Sequence, residues 1–444
     1  MKNCFKWLTA AVLIAVVGVS VVPATPAAAQ LDTIECPAGN PELVVAAGAV
    51  GDELAVLNRS LAMYMELCPN VTATALETPD LVTDRLGLYI QFLGARSNAV
   101  DLYAIDVIWP GIVAEHMVNF YDYVAPDSPF VAQHPPSLIE NNTLSDALIA
   151  MPWYADLGLL YYRADLLEKY GLSVPVTWDE LAESAQIIQE GERAEGNGNF
   201  WGYVWQGALG EATMVNGLEW QAAEGGGVII TPDGQVQVNN AETIDAVQRA
   251  AGWVGRISPD NVIAATPEDS RAIWNEGNAA FMRNWTYAYN LTVQNETIGT
   301  SFGLAPLPGG NERVAATLGG WSMAVSKYSD NVDAAVSLAL YLTSEEQQKF
   351  RALDGGYPPT VLSVYDDPEL QGLATAPLFE QLFETLNTNS AVARPSTVTG
   401  ERYNDVSRLY ANAVHAVLRG EEDADIAMDD LEFDLEDVVI ELGY

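Results

Sequence analysis

Asp101-Leu-Tyr-Ala-Ile-Asp-Val-Ile-Trp-Pro110 is a short apolar run closed by a proline. Its length suits a buried strand, and Pro110 cannot continue a ladder. At the far end it sets Asp106, an acceptor for hydroxyls, close to Trp109, a flat apolar ring. Such pairs suggest a cleft that holds a sugar. Working outward, the apolar run 42–50, with Gly48 and Gly51 at its end, reads as a preceding strand. Over 52–68, Leu54, Leu57, Leu61, Tyr64 and Leu67 recur at helical spacing. Residues 71–75 give a second strand and 80–94 a second helix. This β-α-β-α-β order predicts a parallel sheet with right-handed crossovers. It would bring Glu53, Arg85 and Asp106 to the carboxyl edge of that sheet, where open α/β folds bind ligands. Singly, each of the three reads equally well as a surface charge beside a loop.

Further along, a helix passes through His116 and a Pro-rich loop covers 125–136. The segment ALIAMPWYADLGLLYYR (147–163) is apolar but contains Asp156, and an unpaired buried carboxylate is costly. A crossing between two domains, with Tyr154 and Asp156 facing a cleft, resolves that conflict. Thr177 and Glu180 form a capping box for the next helix. Glu219 either faces the cleft or accompanies the core packing of Trp220. Trp285 and Tyr287 follow a short strand at 279–282 and would share one face if extended. In the strand 317–326, Gly320 lets the backbone approach a ligand and Trp321 follows as a ring wall. Residues 333–350 read as one helix, Gly355-Gly356-Tyr357-Pro358-Pro359 as a sharp turn, and Arg394-Pro395 as part of a polar loop. Two helices, at 403–418 and 425–442, close the chain.

At 444 residues the chain can bury more than one core, so two domains are expected. Lys2 and Lys6 precede an uncharged apolar run, and Ala27-Ala28-Ala29 offers small residues for cleavage, the pattern of a secretory signal peptide. Without that leader, eighteen basic residues face sixty acidic ones, a net charge of −42. Such a charge repels phosphate backbones, which argues against nucleic acid as a partner. Cys36 and Cys68 remain, and in an oxidising compartment one disulfide is the simple expectation; two buried free thiols are the alternative. His116, His134 and His415 lack ligand spacing, so no metal is expected, and the acidic run 421–437 reads as a solvated helix face.

Rings interleaved with carboxylates suit a saccharide. Its C–H face packs on an aromatic ring while its hydroxyls need fixed donors and acceptors. The candidate set is Glu53, Arg85, Asp106, Tyr154, Asp156, Trp285, Tyr287, Gly320, Trp321 and Arg394. A competing reading is a secreted glycosidase acting through Asp106 and Asp156, a pair such enzymes hold ~5–9.5 Å apart. No P-loop, H-E-x-x-H or complete G-x-S-x-G pattern accompanies it.

The chain also resembles the extracellular solute-binding proteins of sugar ABC transporters, nearest to the trehalose/maltose-binding type. The resemblance rests on GAVGDE (48–53), DRLGLYIQFL (84–93), IDVIWPG (105–111), PWYADLGLLYYR (152–163), VPVTWDEL (174–181), FMRNWTYAY (281–289) and LGGWSMAVS (318–326). It implies an α/β, two-lobed periplasmic-binding-protein fold with a hinge and a central ligand cleft. Residues 1–29 would be the signal peptide, 30–154 and 304–346 the N-terminal lobe, and 155–303 and 347–444 the C-terminal lobe. It implies ligand roles for Glu53, Arg85, Asp106, Tyr154, Asp156, Trp285, Tyr287, Gly320, Trp321 and Arg394. It implies no catalysis and no cofactor. The partners would be an α-linked disaccharide, trehalose or maltose, and an ABC permease in the inner membrane. The receptor would be a periplasmic monomer. Another sugar or a polyol is the alternative ligand.

Overall fold

The computed structural model describes residues 33–310, 315–372, 378, 379, 382 and 391–444; the leader at 1–29 lies outside them. β1 (Glu42–Ala47), β2 (Thr72–Glu77) and β3 (Leu102–Asp106) alternate with α1 (Glu53–Leu67) and α2 (Val82–Gly94). β1 pairs in parallel with both β2 and β3, the arrangement that the alternating pattern predicts. Burial explains it: β3 is covered throughout, and α1 turns Val56, Leu57, Leu61 and Tyr64 inward while Leu67 stays exposed. β4 (Thr143–Leu144) and β5 (Ala147–Leu148) form a small hairpin.

The remaining strands are β6 (Met151–Leu157), β7 (Leu159–Arg163), β8 (Trp201–Val204), β9 (Ala279–Asn284), β10 (Phe302–Ala305), β11 (Ala316–Val325) and β12 (Ala391–Val392). They complete two sheets. The first runs β12-β11-β3-β1-β2, with β6 also on β11; the second runs β10-β7-β9-β8. Each sheet carries its own helices, giving two lobes. Gly158 alone separates β6 in one sheet from β7 in the other. β6 pairs antiparallel with β11, and Ala155 N–H donates to the Pro358 carbonyl at 3.0 Å. Three chain segments therefore run side by side between the lobes.

Several local expectations are met and others are corrected. The Thr177–Glu180 capping box forms, and Cys36 is joined to Cys68. The run 333–350 is two helices, Val332–Leu342 and Glu345–Gly355, because the Ser344 side chain caps the second by accepting from Gln347 N–H. The Pro-rich loop holds short helices, Pro129–Ala132 and Pro136–Asn141, each with proline in its first turn, where its missing N–H costs nothing. The segment through His116 is a four-residue helix followed by a 3₁₀ turn. After β9 the chain turns instead of staying extended, with Tyr287 at φ −59° and ψ −29°.

Glu219 pairs with Arg283 inside the second lobe, Oε2 to Nε at 3.0 Å, with both side chains 1 % exposed. It also accepts from Thr317 N–H at 3.1 Å, which ties β11 to the helix Glu211–Glu224. Removing one member of a buried pair strands the other. Glu219→Gln should therefore cost about 3–5 kcal/mol in urea unfolding. Arg59→Ala, which breaks an exposed pair with Asp354, should cost no more than about 1 kcal/mol.

Candidate ligand-binding site

The two lobes enclose a cavity of about 210 Å³. All ten side chains or backbones singled out in the sequence line it, from Glu53 to Arg394. The parallel sheet accounts for three of them. Glu53 opens α1, Arg85 lies in the first turn of α2, and Asp106 ends β3, so all stand at the carboxyl ends of the strands. Tyr154 and Asp156 come from β6, and Gly320 and Trp321 from β11 opposite them, with Trp321 in register with both Tyr154 and Asp106. A bulge after Trp321, with Trp153 of β6 as the extra residue, shifts the β6–β11 register there. Gly320 has φ +134°, and a Cβ on it would stand 2.7 Å from the Tyr154 carbonyl oxygen.

Arg85 is fully buried. Its Nε donates to the Pro79 carbonyl at 3.0 Å, and its guanidinium carbon lies 4.4 Å from the Trp321 ring centre. A side chain at Gly48 would collide with it, so glycine there makes the seat. Arg85 Nη1 approaches Glu53 Oε1 at 3.6 Å, an ion pair too long for a hydrogen bond. Arg85 Nη1 and Nη2 and Glu53 Oε1 have no hydrogen-bond partner in the protein although buried. Burial pushes the Glu53 carboxyl up, and the Arg85 charge opposes that rise. Unpaired buried donors and acceptors are costly, so their place beside a cavity points to a polar ligand.

Asp106 and Asp156 share one design. Asp106 Oδ1 accepts from Ile108 N–H at 3.2 Å and from Arg394 Nη2 at 2.8 Å. Asp156 Oδ1 accepts from the N–H groups of Leu157 and Thr286, both at 2.9 Å, and from the Thr286 hydroxyl. In each, one oxygen is immobilised and Oδ2 has no donor among the described residues. Burial pushes Asp106 up despite the Arg394 charge, and lifts Asp156 to about 6 against the Thr286 hydrogen bonds.

Trp285 lies against β11 at Gly319, where a Cβ would meet its ring at 2.9 Å. The Arg283 guanidinium sits 4.2 Å from its ring centre. Tyr287 donates its hydroxyl to Glu268 Oε1 at 2.6 Å. Trp109, paired with Asp106 in the sequence reading, does not line the cavity. It is packed beneath Trp321, ring centres 5.4 Å apart at 89°, because the chain turns after Asp106 and swings the ring into the core. Glu219 is likewise a core residue.

Among the lining groups that sequence reasoning missed are Tyr357 and Glu211. Tyr357, read only as part of a turn, packs on Tyr154 at 5.0 Å and keeps an unpartnered hydroxyl. Glu211 opens the helix Glu211–Glu224, where the helix dipole favours an anion. It accepts from Arg394 Nη1 at 3.0 Å, from the Tyr403 hydroxyl at 3.0 Å and from Ser407. The Gly-Glu-Ala-Thr start of that helix was its sequence signal.

The lining carries six carboxylates, Glu53, Asp80, Asp84, Asp106, Asp156 and Glu211, against two guanidiniums, Arg85 and Arg394. That balance repels anionic solutes. Among the described residues, no group of three His, Cys, Asp or Glu could hold a metal ion.

Because Asp156 has its ordinary pKa when unfolded and about 6 when folded, the folded protein holds the extra proton between those values. The stability from this group is complete below pH 4 and is lost as pH rises through 6. In urea unfolding from pH 4 to 7, Asp156→Asn should lack that loss, so its stability relative to the parent should rise with pH.

Residues 49–349 match the family of bacterial extracellular solute-binding proteins. A probable ABC transporter-binding protein of Deinococcus radiodurans is 43% identical over 350 residues, 78% of this chain and 82% of its own length. The maltose-bound MalE3 of T. maritima superposes with a TM-score of 0.82 at 34% identity, covering 89% of this chain and 98% of the other. A mannitol-binding protein of Pseudomonas aeruginosa is 22% identical over 309 residues, 66% of this chain and 70% of its own length. These proteins are non-enzymatic transport components, which removes the glycosidase reading of Asp106 and Asp156. The chain belongs to the bacterial extracellular solute-binding protein family.

Proposed function

We propose that this substrate-binding component of an ABC sugar transporter takes an α-linked disaccharide of the maltose or trehalose type. The observation that carries the reading is the pairing of Asp106 with Trp321 and of Asp156 with Trp285 around one cavity. Each tryptophan is braced by a guanidinium, and the part of its ring that lines the cavity is offered to the C–H face of a pyranose. Each aspartate offers Oδ2 as a hydroxyl acceptor, and Arg85 offers two unpartnered nitrogens, Nη1 and Nη2. Two ring-and-carboxylate pairs match two sugar rings. The maltose bound by the T. maritima relative supports the same ligand class.

In this reading the ten residues named from the sequence contact or frame the sugar. The lobes divide close to the expected bounds, except that β6 stays in the first sheet to Leu157, β10 stays in the second to Ala305 and β12 returns to the first; hinge closure traps the ligand. The closed monomer then engages an ABC permease from the periplasm, to which the 1–29 leader delivers the chain. Among the described residues, no helix is long and apolar enough to cross a membrane.

Calorimetric titration with maltose, trehalose, sucrose, glucose and mannitol tests the ligand. One-to-one binding of maltose or trehalose, with glucose much weaker, is expected. Preference for mannitol, the polyol of the Pseudomonas relative, would overturn the disaccharide. Trp321→Ala should weaken the preferred sugar by about 1–2 kcal/mol.

A further inference from the structure

Three glycines stand where the lobes meet round the cavity. A Cβ on Gly51 would lie 2.9 Å from the Tyr287 ring, and one on Gly210 would lie 3.2 Å from Thr83 Oγ1. A Cβ on Gly111 would lie 2.7 Å from Gly400 Cα and 2.9 Å from its carbonyl carbon. Gly51 and Gly210 have φ of +58° and +117°, reason enough for glycine. Gly111 has no such reason. It lies in the helix Pro110–Val113, where alanine is intrinsically the better residue.

What Gly111 faces is backbone. Gly400 opens the 3₁₀ turn Gly400–Arg402, which leads into the helix Tyr403–Leu418 of the second lobe. A backbone contact cannot be relieved by a side chain swinging aside. Carbon atoms prefer about 3.5–4.0 Å, so a methyl group at Gly111 requires the lobes to part by about 1 Å at this seam. The seam adjoins the ligand site without belonging to it. Gly111 follows Asp106 on one side and Gly400 follows Arg394 on the other, while neither glycine lines the cavity.

We propose that Gly111 is an affinity-determining position, whose bare backbone face lets the lobes close on Gly400 and so completes the sugar site. A methyl group there acts as a wedge. It lowers the population of the closed form, and apparent affinity falls in proportion. The inference rests on the lobe division and the receptor reading given above.

The test compares Gly111→Ala with Gly87→Ala, a helix glycine whose Cβ would meet nothing within 4 Å. Maltose affinity is read by calorimetry, lobe closure by small-angle scattering with and without maltose, and folding by thermal unfolding. The expected result is a melting temperature like the parent's, at least ten-fold weaker maltose binding and a smaller contraction for Gly111→Ala. Gly87→Ala should match the parent in affinity and contraction and melt no lower. Parental affinity and contraction in Gly111→Ala would overturn the proposal. If the parent itself binds no sugar, the ligand reading fails separately. The seam is then judged on the ligand-free proteins, where a larger radius of gyration for Gly111→Ala sustains it and an equal one overturns it.

Discussion

One guanidinium spans the cleft. Arg394 holds Asp106, at the end of a strand in the first lobe, and Glu211, at the start of a helix in the second. All three side chains are largely removed from water, and an isolated charge there would be strongly disfavoured. Mutual pairing, with Tyr403 and Ser407 on Glu211, holds the group in place. Such a chain is a poor device for stability, since apolar residues of similar volume often do as well. Its gain is geometric. It immobilises one oxygen of Asp106 and presents the other to the cavity without the cost of ordering it when a ligand arrives.

The same logic runs through the rest of the site. Thr286 does for Asp156 what Arg394 does for Asp106, from the turn after β9 of one sheet to β6 of the other. Arg85 and Arg283 brace Trp321 and Trp285 from behind, and each is positioned by polar groups that never reach the cavity. A site built from pre-paired charges discriminates sharply, because a solute lacking the matching hydroxyl leaves buried groups unpaired. The cavity's excess of carboxylates adds a second filter by disfavouring anions.

Much of this was legible in the sequence where local pattern and topology agree. Glu53, Arg85 and Asp106 were legible because a parallel β-α-β-α-β unit delivers strand ends and helix starts to one edge. Asp156 was legible because a carboxylate inside an apolar run must face something polar. Trp285 and Tyr287 were correctly located for the wrong reason, since both reach the cavity from a turn. Trp109 was misplaced because three residues of turn after β3 reverse the direction of its ring, which no periodicity records. Arg394 was named for its chemistry and by resemblance, with no local pattern to place it, its partners being 288 and 183 positions away. Tyr357 and Glu211 have partners about 200 positions away, so only the helix start at Glu211 left a local trace. The break at Ser344 did carry a local signal, the Ser344-to-Gln347 cap, hidden by the apolar pattern around it.

The most direct measurement is a crystal structure of the mature protein grown with maltose. The account expects a pyranose ring against Trp321 and another against Trp285, with hydroxyls on Asp106 Oδ2 and Asp156 Oδ2. The Asp106–Arg394–Glu211 chain should remain intact beside it. A sugar bound elsewhere, or one that binds by breaking that chain and taking both oxygens of Asp106, would contradict it.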